Sequence, residues 1–352
     1  MKLVFVDATS GFTLDRKEKK ACGGILNSLT IIPKLLAQRG HDVTVKCSIS
    51  EKAEVDGVKY MPVGLTELIP KWDVIVLNRN GVTNPIVGYA HQIKTKVVWW
   101  LHDIVDMRYL DDASYRKVDK IIALSDYCKT SYSKFYDIPE EKFAVIPNGV
   151  DKSRFYPGKY EDRKKYRMIW ASAPIKGFIP LEDTWTNVRR HFSSAELLIY
   201  ASQGLHDKED SSDVKLFLNG MEELKASVMQ PVSQEVLAEK MRGAWALLMP
   251  NSYPEICSNL ILQAQACGLP VITSGIGSAP EFVKNDETGV VTDFYPHDLW
   301  LWIKSYAEAT VKLFKDEERH RRISELAPRD VLSWEQVADK WDECLKQVQG
   351  GM

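Results

Sequence analysis

YPEICSNLILQAQACGLPVITSGIGSAPEFV, residues 253–283, is the stretch from which the fold can be read. Just before it, residues 244–249 form a short apolar run with strand composition. The loop that follows carries Pro254 and Glu255. Ser258 and Asn259 then open an apolar, helix-like segment that stops at Gly268, a C-terminal signal. Pro270 and residues 271–273 start the next strand. The pattern is strand, loop, helix, strand, with a carboxylate at the helix entrance. Unpaired N–H groups and the macrodipole make such an entrance attractive to phosphate. A carboxylate beside it suits hydroxyl groups of a sugar or ribose.

The same alternation extends in both directions. Strands are expected at residues 3–6, 43–47, 73–77, 96–101, 120–124 and 143–146. They are short, β-branched and apolar, as strands buried on both faces should be. A helical pattern at 25–39 stops at Gly40, and Pro33 inside it predicts a kink or a late start. A turn-rich stretch at 147–158 and a polar one at 159–167 mark a boundary. A second series follows, at 168–171, 196–200, 227–229, 244–249, 270–273 and 289–292. Terminal helices are expected at 298–314 and 334–348. Two alternating series imply two doubly wound α/β domains, with ligands at the carboxyl ends of the strands and the site expected in the cleft between them.

The chain has 352 residues, enough for two domains of ordinary size. A formal net charge of −2 provides no global field for nucleic acid. Six scattered cysteines without paired spacing read as free thiols of a reducing compartment. No His/Cys cluster has metal spacing. The N-terminus reads as a first strand rather than a signal peptide, and no apolar run reaches membrane-spanning length. A cytoplasmic location is expected, with peripheral attachment to the inner face of a membrane left open. The charge clusters at 17–20 and 163–167 read as solvated surface.

Several residues stand where such a fold places chemistry, each with a plainer reading beside it. Gly23 and Gly24, between the first strand and helix, allow backbone to approach a ligand or simply form a flexible turn. His102 and Asp103 follow a strand's carboxyl end, where Asp also commonly caps a helix. Lys176, with Gly177, follows the second domain's first strand, where a lysine meets a diphosphate as a point charge or is merely solvated. Glu255 either accepts hydrogen bonds from sugar hydroxyls or complements a helix dipole. Trp334 and Trp341 read as packing residues.

Taken in order, these motifs resemble the retaining glycosyltransferases of the GT-B fold, family 4. The resemblance runs nearly end to end. It is carried by Gly23-Gly24, residues 39–45, His102-Asp103, residues 145–151, the loop 171–177, and above all residues 253–283. It implies an α/β GT-B architecture of two Rossmann-like domains facing across a cleft: an acceptor-side domain over 1–156, a nucleotide-sugar domain over 157–330, and a C-terminal helix at 331–352 crossing back to the first. The family carries a Glu, seven residues, then a second Glu. Here Glu255 holds the first place and Gln263 the second, and Ala171 stands where the family has Arg. Glutamine still donates and accepts hydrogen bonds, without a carboxylate's charge-assisted strength.

By this resemblance, a hexose passes from a nucleotide diphosphate sugar to a saccharide or lipid-linked acceptor. Configuration is retained, without metal or cofactor. The resemblance assigns His102, Lys176 and Glu255 to catalysis, and Gly23, Gly24, Ser172, Ser258, Asn259, Leu260 and Gln263 to the donor. Asp103 goes to the acceptor side. The competing expectation, motivated by Gln263 and Ala171, is a non-catalytic nucleotide-sugar-binding or scaffold protein with the same fold.

Overall fold

The computed structural model describes residues 1–7, 24–63, 72–79, 84–105, 113–172, 176–200 and 210–350. They fall into two compact units. Unit 1 holds residues 1–7, 24–149 and 334–350, and unit 2 holds residues 150–333.

Unit 1 runs β1 (Lys2–Val6), α1 (Gly24–Gln38), β2 (Asp42–Cys47), β3 (Ala53–Val55), β4 (Val58–Pro62), β5 (Val74–Asn78), α2 (Asn84–Gln92), β6 (Lys96–Trp100), β7 (Lys120–Ala123), α3 (Asp126–Tyr136) and β8 (Phe143–Val145). The strands form one sheet in the order β3-β4-β2-β1-β5-β6-β7-β8. All neighbours are parallel except β3 and β4. That last pair is a hairpin whose turn, Asp56 and Gly57, has φ of 54° and 77°. Positive φ at both central residues is what an Asp-Gly turn supplies. β3 and β4 are not among the strands expected from composition, although the Asp56-Gly57 dipeptide is a hairpin signal. α1 includes Pro33, so the late start expected from that proline does not occur.

Unit 2 runs β9 (Arg167–Trp170), α4 (Phe178–His191), β10 (Glu196–Ile199), α5 (Ser212–Glu223), β11 (Ser227–Val228), α6 (Gln234–Gly243), β12 (Ala246–Met249), α7 (Asn259–Ala266), β13 (Val271–Ser274), α8 (Ala279–Phe282), β14 (Gly289–Thr292), α9 (Leu299–Lys315) and α10 (Glu317–Leu326). Its sheet is wholly parallel, in the order β11-β10-β9-β12-β13-β14. The chain leaves β9 toward β10 and β11, then returns to the other side of β9 as β12. The switch in direction therefore lies between β9 and β12, where open α/β sheets bind ligands.

The last helix, α11 (Trp334–Gly350), belongs to unit 1. Its Trp341 is buried, with ring centroids 5.9 Å from Phe5 of β1 and 4.7 Å from Trp100 of β6. Arg39 just beyond α1 bonds Asp339 at 2.6 Å, and His41 Nε2 lies 2.8 Å from Asp342. Trp334 is likewise buried, so both tryptophans are packing residues.

One charge cluster differs from expectation. Arg163 is buried, not solvated. Its Nη1 donates to the carbonyls of Met241 and Ala244 at 3.2 and 3.0 Å, and its Nη2 to those of Cys267 and Gly268 at 2.7 and 2.9 Å. These are the carboxyl ends of α6 and α7, where unpaired carbonyls and the negative pole of the dipole favour a cation. Burial pushes the guanidinium pKa down to about 10, well above neutrality, so the charge stays.

Candidate functional site

At the switch point of unit 2, two loops leave the sheet side by side. The first follows β9 through Ala171 and a buried Ser172, resumes at Lys176, and enters α4 at Gly177. The second follows β12 through Pro250 and a buried Asn251 to Glu255 and α7. Ser252 N–H donates to the Lys176 carbonyl at 3.3 Å. A Cβ on Gly177 would stand 2.6 Å from the Pro250 carbonyl oxygen, so only glycine lets the loops meet this closely.

The meeting places Lys176 against Glu255. The ammonium donates to Glu255 Oε1, while Asn251 Nδ2 donates to Oε2 at 3.3 Å. Lys176 Nζ also lies 5.7 Å from the centre of the Tyr253 ring. Both side chains of the pair keep some solvent contact, 27% for Lys176 and 15% for Glu255. Glu255 is fixed from behind as well. Its carbonyl accepts from Ser278 N–H at 2.9 Å, in a loop where Gly277 has φ of 62°. A Cβ at Gly277 would lie 2.6 Å from that same carbonyl.

Ser258 is the N-cap of α7, and it is buried with no side-chain capping bond. The first N–H of the helix with an acceptor four residues back is that of Leu262, on Ser258 O at 3.2 Å. The backbone N–H groups of Asn259 and Leu260 therefore lie in the first turn of the helix, ahead of its i→i−4 ladder. Both side chains are half-buried. One turn on, Gln263 Nε2 donates to Oε1 of Gln234, the first residue of α6, at 2.8 Å. Gln263 is thus half of an amide pair and half-buried.

In unit 1, His102 follows β6 and is buried against Trp100, with ring centroids 4.3 Å apart. Burial first, then the positive charge of Arg79, pushes its pKa down to about 3, and Asp7 offsets this only in part. The imidazole is neutral across the physiological range. Its Nε2 is a buried atom with no hydrogen-bond partner among the described residues. Asp103 takes both arms of Arg79, at 2.9 and 3.2 Å. Gly24 is the first residue of α1, and Gly23 lies outside the described residues.

The structure thus brings Lys176, Glu255 and the entrance to α7 together at the carboxyl ends of the central strands β9 and β12, with Gln263 a turn further on. Sequence reasoning missed Asn251, Gln234 and Gly277. Asn251 stands four residues before Glu255 at a strand's carboxyl end, a placement that carried the signal. Gln234 carried none, because its partner is 29 positions away.

Known sequence families cover most of this arrangement. Residues 23–154 match Glycosyltransferase Family 4, and residues 167–316 match Glycosyl transferases group 1. The chain belongs to the group 1, family 4 glycosyltransferases. Among family members it is 25% identical over 245 residues to a D-inositol 3-phosphate glycosyltransferase of Rhodococcus opacus, a stretch covering 63% of this chain and 51% of that protein. The chain spans about half the length of that relative. A glycosyltransferase from Rickettsia africae superposes with a TM-score of 0.78 at 16% identity, covering 100% of this chain and 99% of that one. Anabaena HepE, solved with UDP, superposes at 0.75 with 17% identity, covering 99% and 100%. At these identities the two structures show the fold, which is GT-B. No described helix is long and apolar enough to cross a membrane.

Proposed function

We propose that the chain transfers a hexose from a nucleotide diphosphate sugar to a saccharide or lipid-linked acceptor, with retention and without a metal. One observation carries this reading: an ammonium and a carboxylate held together at the switch point of unit 2, beside the opening turn of α7. Phosphate suits the ammonium and the helix amides, and hydroxyls suit the carboxylate. Charge growing on the leaving diphosphate is met by Lys176 and by the N–H groups at Ser258–Leu260, electrostatic stabilisation that needs no reorganisation at the moment of reaction. The leaving phosphate takes the acceptor proton. Ser172 joins the phosphate side and Gln263 the ribose. The neutral His102 suits a sugar hydroxyl rather than a phosphate.

Names of similar proteins lend support. One acts as a glycosyltransferase of D-inositol 3-phosphate, and HepE has been solved with UDP-glucose. These favour a nucleotide sugar as donor and a hydroxylated acceptor. The test is a screen of radiolabelled UDP-, ADP- and GDP-sugars against saccharide and lipid-linked acceptors, with EDTA present and with the product anomer assigned by NMR. Transfer with retention in EDTA is the expected result. Donor binding without transfer or hydrolysis would instead favour the non-catalytic binding protein.

A further inference from the structure

The Lys176–Glu255 contact ties together the two groups that a nucleotide sugar would need separately. A lysine proposed to bind a diphosphate and a glutamate proposed to bind a sugar hydroxyl are bonded to each other. Neither can serve the donor without leaving the other.

The surroundings favour exchange over a permanent bridge. Both side chains are partly open to solvent, and such pairs contribute little net stability. Glu255 keeps a second anchor when the lysine leaves, because Asn251 holds Oε2 and the Ser278 amide holds the backbone. Lys176 has the Tyr253 ring within cation–π range, a second station for the ammonium. Oε1 is thus the one carboxylate oxygen given up to the lysine, and it becomes available when the lysine moves.

We propose that Lys176 and Glu255 form an exchangeable ion pair that selects the intact nucleotide sugar over the bare nucleoside diphosphate. The inference rests on the glycosyl-transfer reading above. An intact donor replaces both halves of the pair at once: its diphosphate takes Lys176, and a sugar hydroxyl donates to Glu255 Oε1. The product diphosphate takes the lysine but brings no hydroxyl. It leaves a carboxylate with one oxygen unpartnered beside a terminal phosphate that has gained negative charge. The pair therefore re-forms and the product leaves. Asn251 is a positioning residue here, keeping Glu255 in place during the exchange.

The test is calorimetric titration of UDP, ADP and GDP, each beside its glucose ester, into the unmodified chain, Glu255→Gln, Lys176→Gln and the double variant. The expected result is that Glu255→Gln binds the preferred nucleoside diphosphate roughly three- to fivefold more tightly, the size of a released partly exposed pair. It should bind the ester at least threefold more weakly. Glu255→Ala should change diphosphate affinity in the same direction. In the Lys176→Gln background the gain should vanish, because no lysine is then being competed for. Unchanged or weaker diphosphate binding in both Glu255 variants overturns the exchange. So does a gain that persists undiminished without Lys176, which would be simple relief of repulsion. An unmodified chain that binds none of the nucleotides overturns the glycosyl-transfer reading itself.

Discussion

Gly177 and Pro250 approach so closely that a single carbon added to the glycine would sit 2.6 Å from the proline carbonyl oxygen. This contact sets the spacing of the two loops that carry Lys176 and Glu255. Gly177→Ala should force them apart, costing about 1–3 kcal/mol of stability as overpacking does. Nucleotide affinity should fall with it. Urea denaturation and calorimetry on the same preparation check both; an alanine variant with unchanged stability would mean that the Pro250 loop yields freely.

Lys176→Ala should weaken donor binding by roughly 1–2 kcal/mol. Hydrogen bonds to charged groups contribute about 1.5–3 kcal/mol, and part of this is offset because the pair with Glu255 no longer has to be broken. Unaltered affinity for the true donor would remove Lys176 from the phosphate site.

Gln234 and Gln263 should behave as one unit toward the ribose. Each alanine substitution should cost about 0.5–1.5 kcal/mol in donor affinity. Together they should cost less than the sum, with a coupling of at least about 0.5 kcal/mol. Gln263→Glu should change affinity by no more than about tenfold, since the loss of a neutral amide and the gain of a carboxylate oppose each other near a diphosphate. Additive losses in the double-mutant cycle would show that the 2.8 Å bond has no part in binding.

Stability should fall on mild acidification. His320 donates from Nε2 to the Trp245 carbonyl at 2.8 Å, which leaves Nδ1 to accept from the Tyr160 hydroxyl at 3.0 Å. Both bonds use the neutral ring, which is stacked on Trp245 at 3.9 Å. Burial, the largest cause, pushes its pKa down to about 4 from an ordinary 6.5. The unfolded chain therefore binds more protons between those values, and stability is lost as pH falls through that window. Roughly 2 kcal/mol should be gone by pH 5, with His102 acting in the same direction. Urea midpoints measured from pH 7.5 to 5 should show the slope, and His320→Gln should flatten it.

Much of this molecule could be read from its residues, and the exceptions have physical causes. Buried parallel strands declare themselves by composition, so every expected strand position carries a strand. The β3–β4 hairpin went unread because its strands are only half apolar, with Glu54 and Lys59 facing each other across the pair. Lys176 and Glu255 were legible because each follows a strand on an α/β sheet. Their bond to each other was not, since nothing local reports a contact between residues 79 positions apart. Arg163 misled for the same reason. Among lysines and arginines it looked like surface, yet its partners lie 78 to 105 residues on, at the ends of two helices.

Arg163 and the Gln234–Gln263 bond act on the same two helices. The guanidinium joins the last turns of α6 and α7, and the amide pair joins the first residue of α6 to the middle of α7. Two helices cross-tied at separate points resist both sliding and splaying, as a ladder with two rungs keeps its rails parallel to one another under load. If the ribose binds against α6 and α7 as proposed, that wall is built before any nucleotide arrives, and binding free energy is not diverted into ordering it. In hydrogen exchange the amides of α6 and α7 should already be slow in the ligand-free chain, and nucleotide should slow them little further.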